Sequence, residues 1–456
     1  MADSKRGDRD RLSNLPDEIL IHILSMLPKS KAVVRTSVLS KRWQFMWKSV
    51  PVSLYFVLPG HDEKKATDFV VSTHRELHYW RYCRKIRKLE VIFSFGIEDF
   101  AKDVDFWVHF ATKIANVEDF KLEYCLGYEL PQIAYKNTSL KKLGIQYCTL
   151  NPSGSVNWSS LLSLSFGNVE LKDDAMEKVL LGCPDLECLE LDDVEGIHPL
   201  EISNLKLRKL IIKNCENEES VPWLEILAPN VQNLQLLGVC GEIRLRQSNV
   251  DSLVTAVLDL KIEFGEGVIP EEKAYSCLKK LLHSVAHVEN LELGPWCIEC
   301  LSILELKGWK SPPSSRKFLK LDAALEQLDL PGVCSFLQSS LDLETLVIDW
   351  YNQKGRYHLL KYPNEDEQNR RFETHNFNSS LLHLKTIKIN FYGPLSENRS
   401  VQPLVKYLLK HAIVLEKFVI AARYRGSEVS RDYVNMEQEF LSFPRSSPHA
   451  SIVFSY

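Results

Sequence analysis

A hexad, apolar-x-x-apolar-x-apolar, recurs along the middle of the chain and limits its fold more than any other feature. It is present in IRKLEV (from residue 86), VEDFKL (117), LKKLGI (140), LLSLSF (161), LECLEL (186), LRKLII (207), VQNLQL (231), VLDLKI (257), VENLEL (288) and LETLVI (343). Most neighbouring hexads start about 21 to 31 residues apart, a period that signals a structural repeat. The apolar-x-apolar end of each has the alternation of a strand with one buried face. Between the hexads, DFWVHFATKIA, DDAMEKVLLGCP, SCLKKLLHSVA and GVCSFLQSS read as helices. No such unit buries its apolar side alone, so stacking must supply the core. The expectation is an α/β solenoid over 83–350, with a parallel sheet on the concave face and helices outside. Between about 295 and 335 LSILEL and LEQLDL compete for the strand, and at least one of them should be helical.

With 456 residues the chain is too long for one core, and its 45% hydrophobic and 25% charged content is that of a soluble globular protein. The net charge of -4 gives no reason to expect nucleic acid or an anionic membrane as partner. No apolar run approaches the ~20 residues of a membrane span, and the start, MADSKRGDRDRLSNLP, lacks a signal peptide's apolar run. Eleven scattered cysteines, an odd number, fit buried thiols in a reducing compartment better than disulfides. An intracellular protein, of nucleus or cytoplasm, is expected.

Near the N-terminus, LPDEILIHILSMLP has the marks of a short helix. Pro16 suits a first turn, Asp17 and Glu18 complement the positive helix end, and Pro28 should stop it. Leu15, Ile19, Leu20, Ile23, Leu24 and Leu27 form an apolar face broader than one short partner helix covers. KAVVRTSVLSKRWQFMW adds one or two helices carrying Val34, Val38, Trp43 and Trp47. A module of about 40 residues is marginal alone. Its surplus apolar surface therefore docks a foreign helix or packs on the first repeat.

Catalytic motifs are missing. There is no G-x-S-x-G, no phosphate-binding G-x-x-x-x-G-K-[ST] and no G-x-G-x-x-G. A single C-x-x-C, Cys297 and Cys300, lies in an apolar stretch and reads as two buried thiols rather than zinc ligands. His283 and His287 are four apart on a helix, without a third ligand nearby. A non-enzyme with no cofactor and no metal is expected.

The hexads, extended in LKKLGIQYCTL to L-x-x-L-x-L-x-x-C-x-L, resemble leucine-rich repeats, with Cys148, and by the same alignment Cys125 and Cys215, at a small buried position. LPDEILIHILSMLPKSKAVVRTSVLSKRW strongly resembles an F-box, and GCPDLECLEL is similar to the repeat junction of plant F-box proteins. LVKYLLKHAIVLEKFVI and FLSFPRSSPHASIVFS look like the FBD domain of the same architecture. The implied layout is a disordered tail at 1–8, an F-box at 9–55, a linker at 56–82, the repeats at 83–350, a polar insert at 351–376 and an α+β FBD-like cap at 377–456. The resemblance implies a substrate receptor of an SCF-type cullin–RING ubiquitin ligase. Its F-box would dock a Skp-type adaptor through Leu15, Pro16, Ile19, Leu20, Ile23, Leu24, Leu27, Pro28, Val38, Leu39 and Trp43.

The target surface is expected on the polar positions of the strands, namely Glu90, Lys121, Glu123, Gln146, Glu190, Asp192, Lys213 and Gln235. Their mixed signs imply no acidic or basic target. The rival reading is a repeat scaffold or ligand sensor that works without the ligase.

Overall fold

The hexads become strands because their fourth and sixth positions fall on one side of an extended chain and stack on the same positions of the next repeat. A computed structural model describes residues 12, 15–27, 30–58, 63–83, 85–93, 100–124, 127–197, 200–202, 204–215, 223–246, 251–263, 271–322, 329–351, 380–392, 401–422 and 431–455. They divide into two units, 1–197 and 198–456. Pro28, Cys125, the tail 1–8 and residues 352–376 of the polar insert lie outside the described residues.

In the first unit the helix Asp17–Ser25, the short helix Ser30–Arg35 and 3-10 turns at Thr36–Val38 and Trp43–Ser49 precede the sheet. The strands are β1 (Val52–Val57), β2 (Ile86–Ile92), β3 (Asp119–Glu123), β4 (Lys142–Gln146), β5 (Thr149–Leu150), β6 (Ser163–Leu171) and β7 (Cys188–Glu195). They pair in parallel in the order β1-β2-β3-β4-β6-β7, with the short β5 beside β6. Leu54, Leu89, Phe120, Leu143, Leu164 and Leu189 form one buried row; Phe56, Val91, Leu122, Ile145, Phe166 and Leu191 form the next.

The segment 56–82, expected as a linker, is instead the end of β1 and the 18-residue helix Glu63–Trp80. Ala66, Val70, Thr73 and Leu77, spaced 4, 3 and 4 apart, bury one stripe of an otherwise charged helix. β1 also begins inside the span assigned to the F-box. Its leading hexad position is Pro51, which hid the repeat.

In the second unit β8 (Leu200–Glu201), β10 (Trp223–Leu227) and β12 (Glu242–Leu245) form a small parallel sheet in the order β12-β10-β8. The long parallel sheet runs β9 (Lys209–Lys213), β11 (Asn233–Cys240), β13 (Thr255–Ile262), β14 (Asn290–Leu293), β15 (Phe318–Asp322), β16 (Thr345–Trp350), β17 (Thr386–Phe391), β18 (Lys417–Ala422) and β19 (Ser451–Ser455). Helices Glu271–Ser284, Pro295–Leu306, Leu330–Gln338, Val401–His411 and Arg431–Ser442 connect its later strands.

Two readings of this region are corrected, the frame of β13 and the C-terminal cap, whereas the expectation that at least one of LSILEL and LEQLDL is helical holds. The frame in β13 starts at Leu253, because Ala256 and Leu258 pair with Leu234 and Leu236; VLDLKI carries the inward positions on to Leu260 and Ile262. LSILEL lies in the helix Pro295–Leu306, most of which is buried, whereas LEQLDL lies mostly outside the described residues. The strand between is FLKLD, whose leading hexad position is Arg316. Finally, 377–456 is no α+β cap: β17, β18 and β19 continue the parallel ladder, so the described part adds further strand–helix repeats.

Two residues past the hexad's last apolar position, the backbone turns left-handed. Tyr147, Asn168, Asp193, Asn214 and Gly238 all have φ between 47° and 72°. Cys148, Val169, Val194 and Cys215 follow and turn back into the core, where a small thiol or valine fits.

Candidate interaction surfaces

The opening helix is apolar on two sides. Leu20 and Leu24, one turn apart, are fully buried, and their helix packs on the turn Trp43–Ser49, whose Trp43, Met46 and Trp47 are buried too. Trp47 in turn stacks on Tyr79 at 5.0 Å and meets Trp80 edge-on at 5.5 Å, which seats these turns on the helix Glu63–Trp80. Ile19, Ile23 and Met26, at spacings of 4 and 3, point outward, with Met26 68% exposed. Val38 and Leu39 on the first 3-10 turn are 85% and 62% exposed, and Phe45 is exposed as well. Arg42 fixes the arrangement: Nη2 donates to Leu15 O at 2.6 Å and to Asp17 Oδ1 at 2.5 Å, and Nε to Asp17 Oδ1 at 3.2 Å.

Of the expected adaptor contacts, Ile19, Ile23, Val38, Leu39 and Pro16 are therefore exposed, and Leu15 and Leu27 half-buried. Leu20, Leu24 and Trp43 are corrected to core residues, because the apolar face that reads as one splits into an inner stripe, Leu20 and Leu24, and an outer one, Ile19 and Ile23. Met26 and Phe45, outside the expected set, are exposed as well. Their signal was present: an apolar residue off the buried stripe of a helix or turn.

The polar strand positions in the first unit fall into register rows. Glu90, Lys121 and Glu190 share one, joined through Gly144 and Ser165; Glu123, Gln146 and Asp192 share the next, through Gly167. All are half-buried. Lys88 Nζ lies 2.8 Å from Glu90 Oε2, and that hydrogen bond raises the Lys88 pKa. In the second unit Lys213 pairs with Leu237, and Gln235 with Ile211 and Val257, so these two sit in different rows.

Other polar groups that the sequence reading passed over collect on the long sheet of the second unit. Asp322, Asp349 and Asn390 are register partners on β15, β16 and β17. A separate groove of about 510 Å³ beside β12 is lined by Arg244, Lys279, Lys280, His283 and Trp309 among others. Two of its lining cations pair with the buried Glu242, Arg244 at 2.8 Å and Lys280 at 3.7 Å.

Nucleophile chemistry finds little support. Cys183, Cys240, Cys277, Cys297 and Cys334 are buried, and burial pushes their thiols up, away from the reactive thiolate. Among the described residues no group of three or more His, Cys, Asp or Glu side chains is placed to hold a metal. No helix among them is long and apolar enough to cross a membrane.

A small helical module with an uncovered apolar stripe, followed by parallel strand–helix repeats, defines the class of architecture. Comparison with known sequences gives this class its family. Residues 12–54 match the F-box domain, and residues 82–443 match the family described as At1g61320/AtMIF1, LRR domain. Arabidopsis thaliana F-box/LRR-repeat protein At3g03360 is 29% identical over 98% of this chain and 91% of its own length. The putative F-box protein At1g49610 of the same plant is 31% identical over 76% of this chain and 86% of its own. F-box/LRR-repeat protein 25, also from Arabidopsis thaliana, is 34% identical over 51% of this chain and 87% of its own length. The chain belongs to the plant F-box/LRR-repeat family.

Proposed function

We propose that this protein is the substrate-receptor subunit of an SCF-type cullin–RING ubiquitin ligase. The F-box docks a Skp-type adaptor, the repeats hold a target protein, and the chemistry of ubiquitin transfer belongs to other subunits. The receptor works inside the cell, in nucleus or cytoplasm, without a cofactor.

The observation that supports this most directly is the outward stripe of Ile19, Ile23 and Met26, with Val38, Leu39 and Phe45 also exposed. Exposed apolar side chains of this size on so short a module are costly in water and signal a docking surface. An adaptor helix lying across them removes that cost. The docking set is accordingly Pro16, Ile19, Ile23, Met26, Val38, Leu39 and Phe45, with Leu15 and Leu27 at its margin. The target surface is the polar face of the sheet.

Co-purification of the full chain with a Skp-type adaptor tests the reading. Wild type should capture the adaptor, and the double variant Val38→Glu, Leu39→Glu should not, while both unfold at the same urea concentration. Failure of the wild type to capture any Skp-type adaptor would favour a ligase-independent scaffold.

A further inference from the structure

On the polar face of β14, β15 and β16 a single ammonium, that of Lys320, stands among three carboxylates. Glu292, Asp322 and Asp349 flank it, Asp259 lies on the same face of β13, and the other cations of the face, Lys261, Lys388 and Lys417, stand on β13, β17 and β18. Lys320 Nζ is shared three ways, 3.3 Å from Asp349 Oδ2, 3.5 Å from Glu292 Oε2 and 3.7 Å from Asp322 Oδ2. One ammonium cannot serve three carboxylates well, and burial pushes the Asp322 carboxyl up to about 6.

A second observation points to what is missing. Asn390 is only 5% exposed, and its Nδ2 donates to Asp349 Oδ1 at 2.6 Å. That bond turns Nδ2 toward the cluster and leaves Oδ1 buried without a partner. A buried acceptor left unsatisfied costs stability and calls for a donor. Every surplus atom here is an acceptor: the Asn390 amide oxygen and the carboxylates of Asp322 and Asp349. Beside them the rings of Tyr351 and Tyr392 stack at 4.6 Å, an aromatic surface of the kind that holds cations.

The ligand these groups fit is donor-rich and positively charged. A bare metal ion is a poor match, since the carboxylates are not gathered at metal-binding distance. We propose that this face, from Asp322 across Asp349 to Asn390 and the Tyr351–Tyr392 pair, binds an ammonium or guanidinium group of a basic segment in a captured protein. A peptide is favoured over a free amine because Val347 and Val419 lie on the same face and offer contact beyond charge. The inference rests on the polar sheet face being a recognition surface and is independent of adaptor docking.

The test is fluorescence anisotropy of the full-length protein with a labelled hexapeptide of alternating alanine with lysine or arginine. Wild type should bind it, weakening as salt is added. Asp349→Asn, which can still accept from Asn390, should lower affinity by about fivefold, and Lys320→Gln should raise it by a similar factor. Misfolding cannot produce effects of opposite sign. The proposal is overturned if wild type does not bind, if neither variant shifts affinity, or if spermidine displaces the peptide at equal concentration. Saturation by calcium alone would also overturn it. Because adaptor capture is read separately, loss of one result leaves the other standing.

Discussion

The guanidinium carbon of Arg316 lies 4.4 Å from the ring centroid of Phe336, so a cation rests on an aromatic face inside the core of the second unit. Only 1% of the residue is exposed, and its Nε and Nη1 are buried without hydrogen-bond partners. Burial alone pulls the Arg316 pKa well down from the ordinary guanidinium range, to about 9. The ring offsets part of the desolvation cost, but a leucine at this hexad position would carry none of it. Arg316→Leu should stabilise the protein by roughly 1–4 kcal/mol, read as a higher urea midpoint at unchanged slope. The pH dependence has a definite sign. The folded state binds this proton less tightly than the unfolded state, so stability is reduced in full below about 9 and rises as pH climbs from there toward the ordinary guanidinium range. The variant should lack that rise.

Tyr147 holds φ at 55°, a left-handed conformation that a bulky side chain adopts only under constraint. The equivalent positions are Asn168, Asp193, Asn214 and Gly238, residue types that tolerate it. Tyr147→Gly should therefore stabilise by about 1 kcal/mol, net of the greater freedom of glycine in the unfolded chain. Thermal melts of the two proteins check it. A lower melting temperature in the variant would mean that the half-buried ring contributes more than the backbone strain removes.

The parallel ladder was legible because a period-2 pattern repeated at near-regular spacing has few alternative structures. Where one position broke the pattern, the reading slipped. Pro51 hid β1, Arg316 hid β15, and the run of inward residues from Ala256 to Ile262 displaced the frame of β13. The C-terminal repeats looked like a separate cap because a long polar stretch precedes Leu384, although LKTIKI and LEKFVI keep the hexad. Side-chain direction in the F-box was beyond the pattern: Leu20 and Ile19 are adjacent in sequence, and only the packing of Trp43, Met46 and Trp47 decides which faces inward. The acid cluster was invisible for a different reason. Asp322, Asp349 and Asn390 are far apart in sequence and meet only through strand register.

Asp322 makes a second pH effect. Its folded pKa, about 6, exceeds the ordinary 3.8, chiefly through burial, with Asp349, Asp259 and Glu292 adding to the rise and Lys320 opposing it. The folded state thus holds this proton more tightly, and the carboxyl's contribution to stability falls as pH rises from about 4 to about 6. Urea midpoints across that interval should decline more steeply in wild type than in Asp322→Asn. Equal slopes would remove Asp322 as the titrating group.

The two stripes of the opening helix should separate stability from binding. Leu24→Ala deletes buried atoms and should cost about 2–5 kcal/mol, measured by urea unfolding of the full chain. Ile23→Ser removes an apolar side chain that is already partly solvated and should change stability by less than about 0.5 kcal/mol. In adaptor capture the order reverses: folded Leu24→Ala protein should retain binding, whereas Ile23→Ser should weaken it by at least about tenfold if the residue anchors the interface. The physical basis is that water already reaches Ile23 in the free protein, so its contact energy is available only to a partner. Equal loss of capture in both variants at matched folded fractions would place the docking surface elsewhere on the module.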